Sequence, residues 1–323
     1  MLAIQAVRAG GPEVLEAIEL PVPAPGPGQI LIRHEAVGLN FIDTYQRSGL
    51  YPMALPAVLG LEGAGVVEAV GEGVSRFAAG DRVAYGNGPL GAYAEFHVVP
   101  ETRAVRVPMG IETSTAAAAM LKGMTAEFLL RRCAPVKQGD WVLIHAAAGG
   151  VGTILTQWAK ALGARVIGTA GSPEKAALAT GNGADHVILY GEEDVAARVR
   201  EITEKAGVRV VYDGVGAATF QGSLDSLARR GTLVSYGNAS GPAPAVLPLE
   251  LSRRGSLFLT RPTLFDYITT TEELDESAGA LFEVIGSGAV KIDIGQTFPL
   301  AETRRAHEVL EARGTTGSTL LIP

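Results

Sequence analysis

The sequence of 323 residues contains one cysteine, Cys133. A lone thiol excludes an intrachain disulfide and leaves no cysteine set for a thiolate zinc site. Cys133 reads as an inert helix residue. The five histidines, His34, His97, His145, His186 and His307, lie far apart. None falls in an H-E-x-x-H or H-x3-H spacing, so each reads as structural rather than as a metal ligand. Basic residues are outnumbered, 27 against 34 acidic, for a net charge of −7. No run of four basic residues occurs. A duplex-binding protein needs clustered Lys and Arg to displace counterions from phosphates, so no nucleic-acid partner is expected. Charged residues are only 19% and hydrophobic residues 47%, which excludes disorder as the main state. Residues 141–159 lack any Asp, Glu, Lys or Arg, but they hold three glycines, His145 and Gln157. No transmembrane helix and no membrane partner are expected. The opening MLAIQAVRAGG has no basic region before its apolar stretch and reads as a strand rather than a signal peptide. A cytoplasmic protein is expected.

Glycine is abundant, 41 residues without a Gly-x-y period. Such an excess serves turns and close approaches of backbone to a ligand. The length predicts about two domains. The first hundred residues carry short apolar or alternating runs (LAIQAV, VLEAIEL, QILIRHEAV, GVVEAV, DRVAY, AYAEFHVV), and PVPAPGPGQ is a rigid connector between two of them. This pattern predicts a β-rich barrel or sandwich. Beyond residue 112, helix formers take over in TSTAAAAMLKGMTAEFLLRR. From Gly139 the chain alternates strand and helix. The strands are WVLIHAA, RVIGTA, HVILY, RVVYDGV, TLVSYG and SLFLTRP. The helices between them include 219–231, TFQGSLDSLARRG. Six strands with crossover helices predict a doubly wound parallel sheet. The tail from about residue 272 returns to helix, strand, helix and a closing strand, STLLIP, expected to rejoin the first domain.

The sharpest local signal is AAAGGVG at 146–152, between an apolar strand and an amphipathic helix. Glycines there let backbone approach a pyrophosphate, and the helix N-terminus supplies unpaired N–H groups. The spacing is Ala146-x-x-Gly149-x-x-Gly152 rather than G-x-G-x-x-G, so the strand–loop–helix context carries the assignment. At the end of the second strand, Ala170-Gly171-Ser172 stand where NAD-binding sheets carry an acid for the ribose hydroxyl. No carboxylate repels a 2′-phosphate there. Lys175, three residues after Ser172, is expected to meet such a phosphate, with Ser172 donating a hydrogen bond.

The segment GDWVLIHAAAGGVGTILTQWAK (139–160) resembles the signature of the quinone oxidoreductase/ζ-crystallin branch of the medium-chain dehydrogenase/reductase superfamily. AVGLNFIDTYQRSGLYP, LGLEGAGVVEAVG, FAAGDRVAY, AAAAMLKGMTA and VVYDGVG agree, so the resemblance spans essentially the whole chain. It implies an α/β protein: a Rossmann doubly wound parallel sheet plus a GroES-like β-rich catalytic domain, with a cleft between them. The expected boundaries are 1–122 for the catalytic domain, 123–264 for the NADPH-binding domain, and 265–323 for the returning segment. The resemblance also implies NADPH contacts from Asn40, Thr125, Gly149, Gly150, Val151, Gly152, Gly171, Ser172, Lys175, Tyr190, Asn238 and Arg313.

Zinc-dependent members of that superfamily carry a cysteine where this chain has Asn40 and a histidine where it has Leu61. Neither residue supplies the ligand that catalytic zinc needs. The four-cysteine structural lobe is absent as well. No metal is expected, and the acceptor should be easily reduced: a quinone, or an enone. Asn40, Tyr45 and Tyr51 are the implied catalytic donors to its oxygen, with Asp43 orienting Asn40. Close alternatives are reduction of α,β-unsaturated carbonyls or enoyl thioesters, for which Arg47 and Arg261 are the available cations. A non-catalytic NADPH-binding protein, crystallin-like or RNA-binding, is a reading of another class. In this family the last Rossmann strand commonly joins two copies. Here it would be 255–262, and a homodimer is expected.

Overall fold

The computed structural model describes residues 1–323 and divides into two compact units. One comprises Met1–Met124, Ile268–Gly286 and Ile292–Pro323. The other comprises Thr125–Tyr267 and Ser287–Lys291. No helix is long and apolar enough to cross a membrane.

The first unit is built on strands β1 (Leu2–Ala6), β2 (Leu15–Glu19), β3 (Gln29–Leu39), β4 (Ala57–Val58), β5 (Gly63–Val70), β6 (Arg82–Tyr85), β7 (Phe96–Pro100) and β8 (Val105–Arg106). Helix α1 (Phe41–Ser48) leaves the end of β3, and α2 (Thr113–Phe128) follows β8. The long strand β3 is central: it pairs antiparallel with both β5 and β7. Ile30, Ile32, Val37, Leu39, Val67, Val83 and Val99 fill one core beneath it. Gly49, at φ +83°, ends α1 in the left-handed conformation that glycine adopts without strain.

The second unit holds β9 (Trp141–Ile144), β10 (Arg165–Ala170), β11 (His186–Leu189), β12 (Val208–Asp213), β13 (Leu227–Ser235) and β14 (Phe258–Thr260). The helices are α3 (Gly150–Ala161), α4 (Pro173–Gly181), α5 (Val195–Ile202), α6 (Phe220–Ser226) and α7 (Pro248–Arg253). All strand pairs are parallel, in the order β11-β10-β9-β12-β13-β14. This is the doubly wound sheet expected. Helices on both faces bury the strands, so Val142, Leu143 and Ile144 are all fully enclosed. The order of strand addition reverses between β9 and β12, the switch point at which such sheets bind ligands.

Two expectations need correction. The helix expected over 219–231 stops at Ser226, because Leu227 is buried and already paired with Val208 of β12. Arg230, at φ 60°, could not continue a helix in any case. The strand expected over 255–262 is only Phe258–Thr260, since Gly255 and Ser256 both have positive φ and form a turn after α7.

The tail adds α8 (Thr271–Gly286), β15 (Ile294–Pro299), α9 (Thr303–Glu311) and β16 (Ser318–Ile322). β16 pairs antiparallel with β3, Leu320 opposite Gly38, and β15 lies parallel beside it.

Candidate active site

The second unit brings the residues expected to hold a nucleotide together at the C-terminal ends of β9, β10 and β11. Gly149 caps α3 in an extended conformation, and Gly150 begins the helix. Gly150, Val151 and Gly152 therefore lie in the first turn, where N–H groups have no partner within the helix. Gly152 is obligatory for packing: a Cβ there would overlap the Ala146 carbonyl and sit 2.9 Å from Ala147 Cα. Ala146 itself has φ 51°, a cost that surrounding bonds must offset. Its N–H donates to Thr169 Oγ1 at 3.2 Å, and the Ala147 N–H to the Thr169 carbonyl at 3.0 Å.

A buried relay anchors that threonine. His145 Nδ1 lies 3.1 Å from Thr169 Oγ1 and Nε2 lies 2.9 Å from Ser223 Oγ, which donates to Asp213 Oδ2 at 2.8 Å. One direction of donation satisfies every group: Thr169 O–H to His145 Nδ1, Nε2–H to Ser223, Ser223 O–H to Asp213. Burial holds the imidazole pKa below its ordinary value, against the pull of Asp213, which keeps it neutral as the relay requires. Ser223 sits between the histidine and the acid, so the three do not form a nucleophile triad. They support the glycine loop.

The residues expected near a 2′-phosphate also converge. Ser172 caps α4, its hydroxyl accepting the Lys175 N–H at 3.3 Å. A Cβ on Gly171 would overlap the Tyr190 hydroxyl, so the half-exposed Tyr190 lies directly against Gly171. One detail departs from expectation. The Ser172 hydroxyl is hydrogen-bonded to Glu174, whose carboxylate it holds below the usual range, so its proton already has an acceptor. Asn238 lies in the loop after β13, accepting the Gly241 N–H at 2.9 Å. There Gly237 packs so closely on Gly214 that a Cβ would sit 2.9 Å from Gly214 Cα. Thr125 is buried in α2. Arg313 belongs to the first unit, at φ 59° just after α9.

In the first unit, Asn40 caps α1 and is buried. Its backbone N–H donates to Asp43 Oδ2 at 2.8 Å, so Asp43 does orient it. Its amide, however, points at the protein: Nδ2 donates to Glu62 Oε2 at 2.8 Å and toward the Gly38 carbonyl at 3.4 Å. The donor expected for a substrate oxygen is thus engaged with Glu62. Tyr45 and Tyr51 form an edge-on aromatic pair, centroids 5.3 Å apart, with Phe41 beside Tyr45.

Sequence reading passed over the residues that organise this end of the unit. Glu62 is fully buried and bonded to Lys122. A charge inside LGLEGAG and another inside AAAAMLKGMTA were the available signals, because charges enter apolar runs only when paired. A second network joins Asp43, Tyr93, His307 and Arg47. Tyr93 donates to Asp43 Oδ2 at 2.8 Å and lies 3.0 Å from His307 Nε2, while Arg47 reaches His307 Nδ1 at 2.9 Å and Glu311 at 2.7 Å. Burial pushes the Asp43 pKa up to about 7, against the hydrogen bonds from Asn40 and Tyr93. Burial and then the Arg47 charge push His307 down to about 3. Arg47, expected to be a cation available to an enoyl thioester, is instead a buried tie between α1 and α9.

Both units answer to known families. Residues 26–109 match the alcohol dehydrogenase GroES-like domain, and residues 150–283 match the zinc-binding dehydrogenase family. The chain is 54% identical to a quinone oxidoreductase of Pseudomonas aeruginosa, covering 99% of each chain. It is 45% identical to a 2-haloacrylate reductase of a Burkholderia species, covering 98% of this chain and 97% of the other. The crystal structure of Escherichia coli quinone oxidoreductase complexed with NADPH superposes with a TM-score of 0.98, at 50% identity over the whole of both chains. A Rossmann sheet and a GroES-like unit in one chain define a medium-chain dehydrogenase/reductase. Within that superfamily, the chain belongs to the quinone oxidoreductase family. The zinc in the matched description has no counterpart in the donor set. Asn40 and Leu61 stand at the ligand positions, and no three His, Cys, Asp or Glu side chains cluster to hold an ion.

Proposed function

We propose that the protein reduces quinones with NADPH, by hydride transfer without a metal. The observation that carries this reading is the cradle at β9 and β10: a glycine-lined helix N-terminus beside Gly171, Ser172, Lys175 and Tyr190, with no acid at the end of β10. Backbone N–H groups of α3 suit a pyrophosphate, and Lys175 suits a 2′-phosphate. NADPH, when bound, supplies the hydride from nicotinamide C4; the chain binds it and orients the acceptor. Relatives named quinone oxidoreductases support the acceptor class. The first unit serves as the catalytic part and the second as the NADPH-binding part. Extensively chelated protein should oxidise NADPH in the presence of 1,4-benzoquinone, followed by cofactor absorbance. Turnover that appears only when zinc is restored refutes the metal-free reading. Tight NADPH binding without turnover of any quinone points instead to a non-catalytic role.

The 2-haloacrylate reductase relative favours one second reading, reduction of an electron-poor alkene conjugated to a carbonyl. The same assay with an enone panel separates the two by relative kcat/KM.

Cofactor choice rests on Lys175. A charge-assisted contact contributes ~1.5–3 kcal/mol, so Lys175→Ala should weaken NADPH by roughly ten- to a hundredfold. NADH affinity should barely change, since that cofactor lacks the 2′-phosphate. Equal weakening of both, measured by fluorescence titration, defeats the assignment.

The edge strand β14 carries Phe258 and Leu259, both exposed large apolar residues. An uncovered apolar edge recruits another strand. The proposed partner is a second copy of this chain, and light scattering at micromolar concentration should give a dimer rather than a monomer.

A further inference from the structure

Glu62 follows Leu61 directly and is wholly enclosed, yet it arranges two donors around one oxygen. Oε1 accepts the Leu121 N–H at 2.7 Å. Oε2 accepts Asn40 Nδ2–H at 2.8 Å and the Lys122 ammonium at 3.2 Å. Gly38 makes the room: a Cβ there would overlap the Glu62 carboxylate and lie 2.7 Å from the Ala117 carbonyl. An ammonium carries three N–H donors. Glu62 is the one hydrogen-bond acceptor that Lys122 meets, so two donors of a nearly buried cation face no protein acceptor. Leaving them so is costly unless a ligand or solvent takes them up. Glu62 has no exposed surface, whereas 7% of the Lys122 side chain remains exposed.

We propose that Lys122 is a further catalytic residue, whose ammonium donates a hydrogen bond to the quinone oxygen that becomes anionic on reduction. The proposal rests on the quinone-reducing reading above. Hydride brings a proton and two electrons; the cofactor is oxidised, and the quinone becomes a hydroquinone monoanion. Lys122 keeps its proton throughout and stabilises the new charge. Water supplies the second proton as hydroquinone leaves. A fixed cation placed where charge develops is the usual substitute for a Lewis acid. Asn40, whose amide protons are directed at Glu62 and Gly38, serves as a positioning residue for the pair.

The test uses 4-nitrophenol without cofactor, because its anion imitates the hydroquinone monoanion and absorbs distinctly from the phenol. Bound to wild-type protein, it should ionise about tenfold or more readily than in water. Lys122→Met alone leaves Glu62 buried without its cation and is expected to fold poorly. The double variant Lys122→Met with Glu62→Gln keeps the cluster neutral. It should bind nitrophenol with no shift and lose ~100-fold or more in quinone kcat, with NADPH affinity unchanged. Lys122→Arg should recover part of both effects. Quinone turnover by wild-type protein that leaves nitrophenol unshifted overturns this proposal alone. So does a double variant with wild-type kcat. Failure of wild-type protein to reduce any quinone overturns the reading on which it rests.

Discussion

Gly150→Asp should abolish NADPH binding while the protein melts at or slightly above its wild-type temperature. Gly150 is the first residue of α3 and does not occupy the left-handed region, so a side chain is compatible with its backbone. A carboxylate at the start of a helix meets the positive end of the helix dipole and contributes ~0.3–1 kcal/mol to stability. That favourable position is the one the pyrophosphate needs. The aspartate therefore occupies the anion site and repels the ligand, and an affinity loss of ~100-fold or more is expected. Gly152→Asp is the contrasting variant. Its side chain would have to displace the Ala146 carbonyl, so it should lose both affinity and stability. Titration calorimetry with NADPH, alongside thermal melting, distinguishes them. Undiminished affinity in a folded Gly150→Asp protein would falsify the loop assignment.

The second large effect is acid lability. Burial lowers the pKa of His34 to about 4, and of His97 and His307 to about 3. His145 is lowered in the same direction. In the unfolded chain each titrates near ~6.5. Between pH 6.5 and about 4 the unfolded state binds protons that the folded state refuses, so stability falls as pH falls. Asp43 works the other way. With its folded pKa raised to about 7, it takes up a proton in the native state first, so its contribution grows as pH falls from 7 toward 4. Four histidines outweigh one aspartate. A tenfold difference in proton affinity is about 1.4 kcal/mol, so the combined loss amounts to several kcal/mol, a large part of the stability of an ordinary domain. Melting temperature should drop steeply from pH 6.5 to 4. His97→Gln, whose amide offers both a donor and an acceptor to Leu90 and Tyr85 but does not titrate, should make that dependence shallower by about one proton. A flat profile would show that these rings are solvated and charged in the native state.

Neither effect depends on a metal, and both trace to how local and distant residues combine. The strand–loop–helix at 141–161 is legible in sequence because a run of apolar residues, a glycine turn and an amphipathic helix are all short-range properties. The parallel sheet follows from the alternation of such units, since a parallel connection requires a crossover. The missing ligands at Asn40 and Leu61, and the missing acid after β10, are legible for a related reason: an absent side chain needs no geometry to be recognised. The end of α6 was not legible, because Leu227 has ordinary helical propensity and only its pairing with Val208 removes it from the helix.

Whether a charged residue is a free surface group or a buried tie is decided by partners remote in the chain. Arg47 looked available to a ligand until α9 brought His307 and Glu311 against it, 260 and 264 residues away. Glu62 and Lys122 meet across 60 residues, and the room for their contact depends on Gly38 in β3. Composition and spacing determined the fold class and the glycine-rich strand–loop–helix turn, since each is written in contiguous residues, and the family resemblance marked Asn40 and Leu61 as lost ligand positions. The tertiary structure alone decided which polar side chains lose their water, and desolvation, not residue type, sets what a buried carboxylate, imidazole or ammonium can do.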